Sequence, residues 1–124
     1  MTSQLALPID IRPEEVAREK TLGGAIELCI KVAGYELDKQ LQQRIGVDKA
    51  QFSRWQSNQE GIVWQKLERL MDACGNDAPV LWMLSRRNFD LHSLRRLETN
   101  VERENRLLRE ENAALRRVLR GENG

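Results

Sequence analysis

The chain has 124 residues and a mass of 14.4 kDa, room for one small domain and an appendage but not for two ordinary domains. Charged residues make up 31% and aromatics 5%, with a mean hydropathy of -0.60, so a modest core is expected beside much solvated chain. Twenty Lys and Arg against nineteen Asp and Glu leave +1, which excludes a uniformly basic nucleic-acid binder; any nucleic-acid site must rest on a local cluster.

Three prolines, few aromatics and much Leu, Arg, Glu and Gln favour an all-α chain. No stretch reaches the roughly 18 apolar residues of a membrane span. The opening residues lack a basic start and reach acid too soon for a secretory signal. A cytoplasmic protein without a membrane partner is expected. Cys29 and Cys74 fall in apolar helical patterns and are expected to be reduced core thiols. The single histidine, His92, stands outside any metal-ligand spacing, so no metal or other cofactor is implied.

Residues 1–12 read as an extended arm. Pro13 suits the first turn of a short helix through Lys20. Residues 21–33 place Leu22, Ile26, Cys29, Ile30 and Ala33 on one helical face, and Gly34 ends it. Residues 38–45 form a short helix with Leu41 and Ile45 inward, and Gly46 punctuates. Residues 48–57 form another, opened by Asp48 with Gln51 at the capping-box spacing. Residues 57–61 are a loop. Residues 64–74 are helical with Leu67, Leu70, Met71 and Cys74 inward, and Trp64 is assigned to the core. Asn76 or Asp77 caps the next helix, whose apolar side is Leu81, Trp82 and Leu84. No strand and no internal repeat are expected. Composition changes after Asp90: the segment up to it carries a net -1, and the remainder holds eight Arg, no Lys and six Glu. The expected organisation is the arm 1–12, a compact domain of four to five helices at 13–90, a long coiled-coil helix at 91–120 and a disordered tail at 121–124.

The apolar spacing Leu41, Ile45, Val47, Phe52, Trp55 lets two short helices cross steeply around a Gly-containing turn. Gly46 suits a turn position needing positive φ. The outer face of the second helix then carries Lys49, Ala50, Ser53, Arg54, Gln56 and Ser57. These are donors and one small residue, with no carboxylate, and such side chains suit base edges and phosphates.

LQQRIGVDKAQFSRWQ resembles the lambda-repressor/Cro type of helix-turn-helix family, most nearly its CII-like phage transcriptional regulators. The resemblance is residue-specific over residues 41–55. It implies a helix-turn-helix domain whose helix 48–57 enters the major groove of double-stranded DNA. By position it implies that Lys49, Ala50, Ser53 and Arg54 face bases, and that Lys39, Gln40 and Ser57 lie near phosphates. Gln42 stands where the family usually has Ala, and Asp38 where many members have Gln. For a transcription regulator of this type, RNA polymerase is a further expected partner.

From residue 91 onward Leu94, Val101, Leu108 and Leu115 recur at seven and take the d positions. Leu91, Glu98, Asn105, Asn112 and Leu119 then fall at a. The competing register buries Glu104 and Glu111 on the seam. Asn at a suits a two-stranded, in-register coil. Glu104 and Glu111 fall at g, Arg109 and Arg116 at e, and these pair favourably across a parallel dimer and clash in an antiparallel one. A parallel homodimer is expected, with a tetramer as the higher assembly. The competing reading is a single amphipathic helix folded back on the domain. Residues ahead of the zipper carry a Leu/Trp/Met stripe and only two Arg, which excludes a basic-zipper reader.

Three function classes follow. The first is a dimeric DNA-binding transcription regulator. The second is a helical protein-interaction adaptor, dimerised by its coil without DNA binding. The third, an enzyme, is not expected: no nucleophile–base pair, metal cluster or phosphate loop is present, since Gly23 and Gly24 lie in helix-like sequence.

Overall fold

The computed structural model describes residues 4–34 and 39–121. Among the described residues the protein is mostly helical, with seven helices, the last of them long, and one small two-stranded sheet. The chain divides into two compact units: Ile9–Ser93, and Met1–Pro8 with Leu94–Gly124. Among the described residues no helix is long and apolar enough to cross a membrane.

Among its described residues the larger unit holds six helices: α1 (Pro13–Arg18), α2 (Leu22–Val32), α3 (Lys39–Ile45), α4 (Lys49–Gln56), α5 (Trp64–Cys74) and α6 (Ala78–Arg86). Pro13 opens α1, where its missing N–H costs no bond. The Thr21 hydroxyl accepts from the Gly24 amide at 3.1 Å and caps α2. Helix α2 is central, packing against α4, α5 and α6, while α3 packs on α5 and α1 on α6. The core follows from the 3.6-residue periodicity of each helix: Val16, Ile26, Cys29, Leu41, Ile45, Phe52, Trp55, Leu67 and Leu70 are all buried. The Cys29 thiol is held protonated by its hydrogen bond with Cys74 and by burial, and both cysteines are free. Asn76 joins two elements. Its Oδ1 accepts from the Ala78 amide at the start of α6, and its Nδ2 donates to the Cys29 carbonyl of α2 at 2.9 Å.

Trp64 corrects the core assignment above: it is 53% exposed. Side chains on a helix lean toward its N-terminus, so a residue in the first position projects past the end of the packed face. Trp82 is half-buried and donates Nε1–H to the Glu19 carbonyl at 2.9 Å.

The smaller unit contains the strands that the sequence reading lacked. Strand β1 (Ala6–Pro8) runs antiparallel to β2 (Arg95–Leu97), with Leu7 opposite Arg96. The arm is thus partly paired, and the ladder continues where the Glu98 amide donates to the Leu5 carbonyl at 2.8 Å. Helix α7 (Asn100–Leu119) then begins. Thr99 and Glu102 make a full capping box, which stops the helix from extending back into the strand. Arg96 grips Glu102 through both Nη atoms, at 2.8 and 3.0 Å. With the Thr99 amide, that guanidinium pushes the Glu102 carboxyl down to about 2.

The long helix is therefore shorter than 91–120. Leu91 lies in a turn of the larger unit and is 5% exposed, and Leu94 lies outside any helix. The turn is fixed by Asp90, which accepts from the His92 amide at 3.0 Å and the Ser93 hydroxyl at 2.6 Å. Neither Leu91 nor Leu94 is a zipper position. The tail beyond Gly121, and Asp38, lie outside the described residues.

Candidate nucleic-acid interface

Helices α3 and α4 are joined by three residues. The Gly46 and Val47 amides both donate to the Gln42 carbonyl, at 2.9 and 3.0 Å, closing α3. Gly46 has φ 76, a left-handed conformation in which a Cβ would be strained. Val47 turns inward, and the Asp48 carboxylate caps α4 by accepting from the Gln51 amide at 2.7 Å. Phe52 and Trp55 then point inward with ring centroids 5.9 Å apart. Because these two residues lie three apart, they commit one face of α4 to the core and turn the opposite face to solvent.

That face displays Lys49, Ala50, Ser53, Arg54 and Ser57, all exposed, with Gln56 half-buried at its edge. Lys39 and Gln40 are exposed at the start of α3. Gln42 is half-buried. The eight residues of α4 include no carboxylate. The face therefore presents two cations, hydroxyl groups and an amide beside one small residue, a set able to donate to phosphate oxygens and base acceptors.

Two neighbours of α4 were not visible in the helical pattern. Lys66 of α5 donates to Gln51 Oε1 at 3.1 Å and stands 5.8 Å from the centre of the Trp55 ring. Glu60, from the loop after α4, brings Oε2 within 3.6 Å of Arg54 Nε. A carboxylate thus borders this exposed face although none lies on its helix. Both contacts join side chains that share no helical repeat, and only the chain reversal after Ser57 brings them together. A shallow cleft of about 530 Å³, lined by Arg44, Arg69, Asp72 and Ala73, opens between α3 and α5.

On α7 the positions retained from the heptad reading are Val101, Glu104, Asn105, Leu108, Arg109, Glu111, Asn112, Leu115, Arg116 and Leu119, and all are exposed. Glu98, read as an a position, is instead buried at 3% exposure and bound by Arg106. Seven of the nine charged residues of α7 fall into two sets, Arg103 and Arg117 standing outside both. Glu102, Arg106 and Glu110 are paired within the unit. Glu104, Glu111, Arg109 and Arg116, which flank the apolar stripe, make no ion pair among the described residues.

No protein-family model, curated protein or solved structure matches the chain.

Proposed function

We propose that this chain is a sequence-specific, double-stranded DNA-binding transcription regulator of the phage or prophage type its motif resembles. It acts in the cytoplasm as a parallel homodimer, open to assembly into a tetramer and to contact with RNA polymerase. The carrying observation is the outward face of α4: Lys49, Ala50, Ser53, Arg54 and Ser57 stand exposed, opposite two buried aromatic anchors, on a helix without a carboxylate. In this reading α4 lies in the major groove, and Lys39, Gln40 and Ser57 meet the backbone. The heptad seam is shortened to Val101, Leu108 and Leu115 at d with Asn105, Asn112 and Leu119 at a. Glu104 and Glu111 face Arg109 of the partner subunit and Arg116 of the partner subunit.

The exposed apolar stripe of α7 also suits the second reading, an adaptor that dimerises without touching DNA. A gel-shift titration on duplex fragments across a salt series separates the two. DNA binding through phosphates loses affinity linearly in log salt, by about 0.9 decade per decade for each phosphate neutralised. The adaptor reading predicts no shift at any salt. Lys39→Ala is expected to weaken all duplexes alike, and Arg54→Ala to lower discrimination at one or two base pairs.

A further inference from the structure

We propose that Glu60 is a specificity-determining residue of the α4 face, holding Arg54 so that its outer edge reads guanine and disfavouring its use on phosphate; this rests on the DNA-binding reading above. The backbone that carries Glu60 is anchored in the free protein. The Gln59 and Glu60 amides both donate to the Arg54 carbonyl, at 2.8 and 3.2 Å. Asn58, at φ 63, turns the chain back, and its Oδ1 accepts from the Gly23 amide of α2 at 2.9 Å. The loop therefore returns to Arg54 through bonds that need no ligand.

The side chains complete the arrangement. Glu60 Oε2 is closed off from solvent, has no hydrogen-bond partner and lies 3.6 Å from Arg54 Nε. The Arg54 side chain remains 45% exposed. With Nε turned to the carboxylate, the two terminal Nη groups form the open edge of a planar fork. Guanine alone offers two acceptors, O6 and N7, on one major-groove edge; adenine replaces one of them with a donor. A fork held in one orientation selects that pair of acceptors. The adjacent carboxylate also offsets the attraction of Arg54 to phosphates, which is the sequence-independent part of binding. An unanchored arginine would be free to take either role.

The test compares the full-length parent, Glu60→Gln, Glu60→Asp and Arg54→Ala in selections from a random duplex library, with affinities measured on the selected and a random-sequence duplex. Although Oε2 itself is covered, the Arg54 and Glu60 side chains as wholes remain 45% and 38% exposed, and an ion pair so solvated contributes little to folding, so Glu60→Gln is expected to melt with the parent. The parent is expected to select a guanine that Arg54→Ala no longer selects. Glu60→Gln should lose about threefold or more of that preference and gain about threefold on random duplex at low salt, the gain shrinking as salt rises. Glu60→Asp should recover part of the preference. Glu60→Gln with the parent's base profile and random-duplex affinity overturns the proposal. So does a uniform loss on all duplexes, which marks Glu60 as merely structural. A parent that enriches no sequence contradicts the DNA-binding reading itself, and the inference falls with it.

Discussion

Arg106 reaches back from the second turn of α7 to clasp Glu98 ahead of the helix, Nε to Oε2 at 3.0 Å and Nη2 to Oε1 at 3.1 Å. Glu98 Oε1 also accepts from the Leu5 amide at 3.2 Å, so one carboxylate, just after β2, joins the residue just before β1 to the long helix. These bonds hold its carboxyl below the usual glutamate range, the Arg106 hydrogen bond contributing most. Arg106→Met strands that carboxylate without its cation. It is expected to destabilise the strand pair more than the double change Glu98→Gln with Arg106→Met. Hydrogen exchange at the Glu98 amide reads the difference; equal protection in both variants contradicts it.

The same ribbon sets an acid limit. Glu102 titrates near 2 in the folded chain against an ordinary value of 4.5. A depressed folded value means that the stabilisation is complete above the ordinary value and is lost as pH falls toward the folded one. Thermal unfolding followed by circular dichroism should show the parent weakening between about pH 5 and about pH 2. Glu102→Gln should be less stable at neutral pH and lose less over that interval. Parallel pH profiles of the two proteins would exclude the assignment.

Gly23 is set by packing, not by φ. A Cβ there would meet the Gln56 carbonyl and lie 2.8 Å from the Trp55 carbonyl oxygen, both backbone atoms. Gly23→Ala must push α2 and α4 apart and is expected to cost about 2–3 kcal/mol in denaturant unfolding. If α4 reads DNA as proposed, DNA affinity should fall with it, because α4 is the displaced element. Unchanged stability would mean that α2 and α4 do not approach this closely.

Trp55 and Trp64 stand at opposite extremes of burial, with Trp82 between them. Trp55 is 2% exposed and Trp64 53%. Trp55→Ala is expected to cost about 3–5 kcal/mol, and Trp64→Ala less than about 0.5 kcal/mol. Chemical denaturation checks both, and a large loss from Trp64→Ala would return it to the core.

For the proposed dimer, Leu108→Pro breaks α7 at its central d position and should yield monomers in sedimentation. Glu104→Arg with Glu111→Arg should weaken dimerisation by about tenfold or more, and adding Arg109→Glu with Arg116→Glu should restore it. A Leu108→Pro protein that stays dimeric moves the interface to the other unit. Failure of the charge swap to restore the dimer contradicts the parallel register.

The helices of the larger unit were legible because each carries its own local signal. Asp48 caps α4, Gly46 turns positive, and the apolar residues 41, 45, 52 and 55 fall on the buried faces. The strand pair was not legible. Its two three-residue strands, ALP and RRL, are too short for an alternating pattern, and their register joins chain segments about ninety residues apart. Leu94 misled for a different reason: it falls seven before Val101 and mimics a heptad. A stop signal was nevertheless present, since Thr99 followed three residues later by Glu102 is the capping-box spacing that opens a helix. The Arg54–Glu60 contact had no sequence signal, because it depends on the left-handed turn at Asn58.

Selection of bound duplexes from a random library by the parent chain is decisive for the proposal that the exposed face of α4 reads duplex DNA. A defined sequence is expected to be enriched at moderate salt. For a simple two-fold dimer, this takes the form of two inverted half-sites about one helical turn, or about 34–36 Å, apart. A pool that remains random after repeated rounds at low salt, with a folded dimeric protein, would contradict it.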